Sequence, residues 1–91
     1  MKDTRYLSDL VSVGKATLMD FEILGITRVS QLKGRNAHRM YLKLQKLTGK
    51  DHDPCCEDVF RAAIEQANNP ELPREQCKWP YWSKVRKGQI K

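Results

Sequence analysis

Glycine and proline cut this chain of 91 residues into short pieces: Gly14, Gly25, Gly34 and Gly49 in the first half, Pro54, Pro70, Pro73 and Pro80 in the second. Neither residue sits well inside a helix, so any helix here has to be short. Between the breaks, apolar residues recur at intervals of three and four, the spacing of one helical face, and no alternating apolar-polar run marks a strand. Leu7, Leu10 and Val11 point to a first short helix capped by Asp3 or Thr4 and broken at Ser12-Val13-Gly14. A second runs from Lys15 to Leu24 with Leu18, Phe21, Ile23 and Leu24 as its apolar positions, and Gly25 ends it. Ile26 opens a linker, and a short helix through Val29 and Leu32 reaches Gly34.

Asn36 is placed to cap the next helix, whose stripe is Ala37, Met40, Tyr41, Leu44 and Leu47, ending at Gly49. Asp53-Pro54 starts another, with Val59, Phe60, Ala63, Ile64 and Ala67 facing inward. Trp79-Pro80-Tyr81-Trp82 then falls on a turn or a very short helix. A helix, a glycine loop and a helix recur around Gly14 and Gly49, which suggests a weak duplication. The expectation is an all-α, compact bundle of about five short helices: one domain over residues 1–85, with 86–91 as a mobile basic tail. A domain of this size buries roughly two thirds of the surface its unfolded chain exposes and leaves no room for a separate catalytic domain.

Charge is distributed in blocks. Residues 1–34 carry five bases and four acids, 35–50 five bases and no acid, 51–76 two bases and seven acids, and 77–91 five bases and no acid. Two basic segments thus flank an acidic one, which suits either a phosphate-binding face or two solvated surfaces. Arg35, Arg39, Lys43 and Lys46 recur at three and four, aligned along one helix as contact with a nucleic-acid backbone requires; a merely solvated face is the alternative. No apolar run is long enough to cross a bilayer and no leader precedes the first helix, so a soluble cytoplasmic protein is expected.

Three cysteines, two of them adjacent, do not suggest a disulfide framework. Cys55, Cys56, Cys77 and His52 lack paired zinc-ligand spacing, and His52 is the only local base for a thiol nucleophile, so no metal, no cofactor and no enzymatic activity are expected. Gly14-Lys15-Ala16-Thr17 echoes a nucleotide-binding loop but lacks the upstream glycine and the preceding strand. Trp79, Tyr81 and Trp82 interleave with Lys78, Lys84, Arg86 and Lys87, a composition suited to base stacking or, more commonly, to covering a groove between helices.

The stretch Leu10-Val11-Ser12-Val13-Gly14-Lys15-Ala16-Thr17-Leu18, followed by Phe21, Leu24-Gly25-Ile26 and Val29-Ser30-Gln31-Leu32, resembles the helix-hairpin-helix motif of DNA-repair and recombination proteins. The resemblance covers roughly residues 7–32 and implies a SAM-like arrangement in which the backbone of Ser12, Val13, Gly14, Lys15, Ala16 and Thr17 faces one phosphate. Unpaired N–H groups and the positive end of a helix converge at such a point, Gly14 permits close approach and unusual dihedrals, and Lys15 adds an ammonium. Ser12 stands where the motif usually has a glycine. Over nearly the whole chain, Gln31-Leu32-Lys33-Gly34, Met40-Tyr41, Leu47-Thr48-Gly49, Asp53-Pro54-Cys55, Asp58-Val59-Phe60-Arg61 and Lys78-Trp79 with Trp82 resemble the bacterial pathogenicity-locus family, which is similar to the C-terminal domain of the competence regulator TfoX and is sometimes labelled mitomycin-resistance protein. That family supplies no reaction to carry over.

Two functions follow as expectations. The first is non-enzymatic, sequence-independent binding of the DNA backbone, with duplex DNA as partner and neither membrane nor small-molecule substrate. The second is a protein-interaction adaptor in which the hairpin is structural and the acidic 51–76 segment or the aromatic tail meets a partner; an exposed apolar patch around Trp79 and Trp82 would favour it.

Overall fold

The helix beginning after Asp53-Pro54 is the one on which the others pack. The computed structural model describes residues 3–90, and among these it contains helices and no strands. Four α-helices, α1 (Lys15–Ile23), α2 (Ala37–Thr48), α3 (Cys55–Asn68) and α4 (Trp79–Arg86), are joined by three 3-10 turns at Leu7–Asp9, Val29–Leu32 and Arg74–Cys77. The first expected helix is therefore a single 3-10 turn. It is led by Tyr6, whose N–H donates to Asp9 Oδ2, while Asp3 is engaged by Arg5 instead of capping.

The caps of the longer helices follow local chemistry. Asn36 accepts from the Arg39 N–H at 3.0 Å, and Gly49 ends α2 in the left-handed region at φ 70°. Asp53 accepts from the Cys55 N–H at 2.9 Å and so starts α3. At the other end of α3, Arg5 donates to the carbonyls of Gln66 and Ala67, which have no acceptor role inside the helix; a cation there also meets the negative end of the helix dipole.

Buried residues surround most of α3. Phe60, Ala63, Ile64 and Ala67 meet α2 and the Val29–Leu32 turn, with Phe60 stacked on Phe21 at 5.6 Å between ring centroids. Asp58, Ala62 and Gln66, spaced four apart, are buried on a second stripe that meets α4 and the segment before it. The sequence shows only the first of these faces, because two of the three residues on the second are polar. Ile26, expected to open a linker, is core, with Val29 and Leu32.

The suggested duplication is not present in the backbone. Gly49 is a left-handed C-cap, whereas Gly14 is an extended N-cap at φ −102°, ψ −172°, and the left-handed residue of the first loop is Ser12 at φ 72°. Arg86, expected to begin the basic tail, closes α4 and grips Asp58 through two hydrogen bonds of 2.8 and 3.0 Å; Lys91 lies outside the described residues. Arg61 of α3 lies over the Trp82 ring, 4.5 Å from its centroid, and Trp82 donates from Nε1 to the Gln76 carbonyl of the preceding 3-10 turn, so α4 is held both to α3 and to the turn that leads into it.

The Asp58 side chain is 2% exposed and that of Arg86 is 32% exposed. Removing the arginine strands a buried carboxylate, while removing the carboxylate leaves a guanidinium that can still reach water. Arg86→Ala is accordingly expected to destabilise by roughly 3–5 kcal/mol in urea unfolding, and Asp58→Ala by clearly less; equal losses would contradict this account of the pair.

Candidate functional site

The turn between the Leu7–Asp9 segment and α1 is held from behind by one side chain. Gln66, 6% exposed on α3, accepts from the Val11 N–H at 2.9 Å and donates to the Val11 carbonyl at 2.9 Å, pairing with that residue as a neighbouring strand would. Ser12 follows in the left-handed region, where L-residues other than glycine, asparagine and aspartate are uncommon. Its hydroxyl donates to the Cys77 carbonyl at 3.3 Å and accepts from the Trp79 N–H at 3.0 Å. Serine here does what the motif's glycine cannot: it ties the turn to the start of α4. The Ser12 side chain is thus committed inside the protein, while its N–H, the group expected at the phosphate, has no protein acceptor among the described residues.

Val13 donates its N–H to the Leu10 carbonyl at 3.3 Å and so is also held within the turn; the residues from Gly14 onward are free of such commitments. Gly14 caps α1 without a side chain, and the first bond into the helix is Leu18 N–H to the Gly14 carbonyl at 3.0 Å. The N–H groups of Gly14, Lys15, Ala16 and Thr17 precede that bond and have no protein acceptor among the described residues, as expected for an uncapped first turn. Gly14, Lys15 and Ala16 are exposed; Val13 and Thr17 are half-buried, Val13 against the core. The unusual dihedral expected at Gly14 belongs to Ser12 instead.

Gly14 stands apart from the other four glycines. Gly25, Gly34, Gly49 and Gly88 all have φ between 70° and 76°, which is reason enough for glycine. At Gly14 φ is negative, and a Cβ placed there would meet no protein atom within 4 Å. Nothing inside the protein calls for glycine at this position, and a Ser, Asp or Asn would cap α1 through its side chain.

The basic residues of α2 are exposed. Arg35, Arg39 and Lys43 line one open groove, joined by Lys33, which was not among the expected site residues. Arg35 is steadied by its Nε donating to the Gln31 carbonyl at 2.7 Å. Lys46 lies farther along α2 and does not line the groove, and neither do Ser12 to Thr17. His38 faces Glu57 at 2.7 Å.

Cys55 and Cys56 sit in surroundings that oppose thiolate formation. Cys56 is pushed up to about 12, first by burial and then by the Asp20 carboxylate 3.6 Å away, and Cys55 is raised by its contact with Asp53. His52 is taken up by Thr48 Oγ1 at 2.8 Å, and Tyr41 donates to the His52 carbonyl. Trp82 is buried and Trp79 and Tyr81 are half-buried, so the aromatic cluster packs between helices.

Ser12 gives a paired expectation. Ser12→Ala keeps the left-handed strain and loses two hydrogen bonds, a loss of about 1–3 kcal/mol in chemical unfolding, whereas Ser12→Gly loses the same bonds but relieves the strain and recovers about 1 kcal/mol of it. A glycine variant no more stable than the alanine variant would contradict this reading of the turn.

Comparison with known proteins bears on residues well beyond the turn. The chain matches the pathogenicity-locus family, Cdd1, over residues 1–88. It is 34% identical over 76 residues to the mitomycin resistance protein McrB of Streptomyces lavendulae, an alignment that covers 84% of this chain and 67% of that protein. No solved structure matches it. No helix among the described residues is long and apolar enough to cross a membrane. With the match running from the first turn through the last helix, the chain belongs to the pathogenicity-locus family.

Proposed function

We propose that this protein binds the sugar-phosphate backbone of duplex DNA without reading base sequence, that residues 7–32 act as a helix-hairpin-helix unit, and that the activity is non-enzymatic and cytoplasmic. The observation that carries the reading is Gly14, a glycine with neither a positive φ nor a crowded Cβ position to explain it, at the uncapped and exposed start of α1. A Cβ there would crowd no protein atom, so what the glycine keeps clear is the approach to the helix N–H groups from outside. Four N–H groups at a helix start, with the helix dipole behind them and the Lys15 ammonium alongside, form an anion site that a phosphate fits.

Arg35, Arg39 and Lys43 in their groove, with Lys46 beyond it, extend the footprint to further phosphates. These contacts carry no information about base identity, so binding is strong on any sequence and falls steeply with salt. An exposed apolar patch at Trp79 and Trp82 would have favoured the adaptor reading, and the packing of both residues does not supply one.

The test is a fluorescence-anisotropy titration of labelled duplex at several salt concentrations, with wild type and a Gly14→Asp, Lys15→Glu variant. Aspartate at this position fits without a clash and caps α1, so the variant should be as stable as wild type or more so by a few tenths of a kcal/mol. Its carboxylate occupies the same N–H groups, and duplex affinity should fall by about tenfold or more. Stability kept while binding is lost would be the signature of a phosphate site. Wild type that fails to bind duplex even at low salt would sink the proposal and bring the adaptor reading forward.

A further inference from the structure

We propose that a second groove, which shares Lys33 with the basic groove of α2, takes a single-stranded segment of DNA, with Tyr6 as the platform on which a base stacks. Tyr6 is 75% exposed, more than any other large apolar side chain described, and it lines a groove shared with Arg28 and Lys33. Lys33 also lines the groove of Arg35, Arg39 and Lys43, so the two grooves adjoin at this residue, with a ring in one and basic side chains in both.

The ring hangs on fixed backbone. The Tyr6 N–H donates to Asp9 Oδ2 at 2.7 Å, its carbonyl accepts from the Asp9 N–H at 2.9 Å, and the preceding Arg5 is anchored on the carbonyls of α3. Across the groove, the Arg28 N–H donates to Gln31 Oε1 at 2.9 Å, which fixes its backbone, and its guanidinium has no carboxylate partner among the described residues. Asp3 is the one acid lining either groove among the described residues, and it is neutralised by Arg5 at 2.7 Å and Lys33 at 3.8 Å. Arg28 in one groove and Arg35, Arg39 and Lys43 in the other are left without a carboxylate partner among the described residues, so both grooves carry net positive charge.

An exposed ring has little to offer an intact duplex, whose bases already stack on each other. An unpaired base has a free π-face, and the pairing of aromatic rings with a positively charged groove is how proteins hold single strands without regard to sequence. This inference deepens the backbone-binding reading by naming a DNA with an unpaired segment, and rests on it for the part played by Arg35, Arg39 and Lys43. Tyr6 and Arg28 belong to the new site alone.

The experiment compares binding of the full chain to an oligothymidylate of about twelve nucleotides and to a blunt duplex of similar length. Tyr6→Ala should weaken oligothymidylate binding by about fivefold to a hundredfold while leaving duplex affinity within about twofold, and Tyr6→Phe should keep both. Arg28→Glu, on a second exposed residue, should weaken oligothymidylate binding by about tenfold. Circular dichroism confirms folding of each variant. Wild-type affinity for oligothymidylate in a folded Tyr6→Ala variant would overturn the proposal, as would a wild type that binds duplex but not single strand. Wild type that binds oligothymidylate but not duplex would instead refute the duplex-binding role of Gly14 and leave the groove standing. Binding of neither would refute both.

Discussion

The amide of Gln66 is the point at which three separate segments of the chain are tied together. Buried on α3, it is bonded to both the N–H and the carbonyl of Val11, and its NH2 also reaches the carbonyls of Ala62 and Cys77. Its own backbone carbonyl receives Arg5. The N-terminal segment, the turn before α1 and the approach to α4 all converge on one residue near the end of one helix. A buried amide is stabilising only when all its groups are matched, and here they are, which makes the contact specific as well as strong. Ser12 passes the same connection on to α4 through Trp79. The turn is thereby fixed through Val11 and Ser12, and the N–H groups from Gly14 onward remain uncommitted.

The distribution of charge acquires a physical sense once the pairs are placed. Three acids of the 51–76 block are taken up internally: Asp58 by Arg86, Glu65 by Arg61 and Glu57 by His38. The exposed pairs contribute little to stability. Arg35, Arg39, Lys43 and Lys33 share a concave surface with no acid lining it among the described residues, while on its other side Arg35 lines a pocket that holds Glu57, Asp58 and Glu65. Arg86, by contrast, is a basic residue of the C-terminal block spent on the fold rather than on a ligand.

Much of the architecture is legible in the amino-acid sequence, because caps and apolar spacing are local signals. Asn36, Gly49 and Asp53-Pro54 mark the ends of α2 and α3, and Phe21, Leu44 and Phe60 announce themselves as core. What escapes is set by distant partners. Asp58 and Gln66 look like surface residues until Arg86 and Val11 are found beside them, and nothing local marks Ser12 as left-handed, since the hydroxyl that compensates for the strain works on residues 65 and 67 positions away. Of the expected site residues, Gly14, Lys15 and Ala16 are exposed at the turn and Arg35, Arg39 and Lys43 share a groove, while Ser12 is engaged internally. Tyr6, Arg28 and Lys33 went unseen because their groove is assembled from two stretches separated in the chain.

The most direct test of the account is to follow the backbone amide resonances of isotope-labelled protein as duplex DNA is added. The N–H groups of Gly14, Lys15, Ala16 and Thr17 should show the largest downfield shifts, with Val11 little changed because Gln66 already holds it. Amides of that first turn that stay still while DNA binds elsewhere would show that the free start of α1 is not where the phosphate sits.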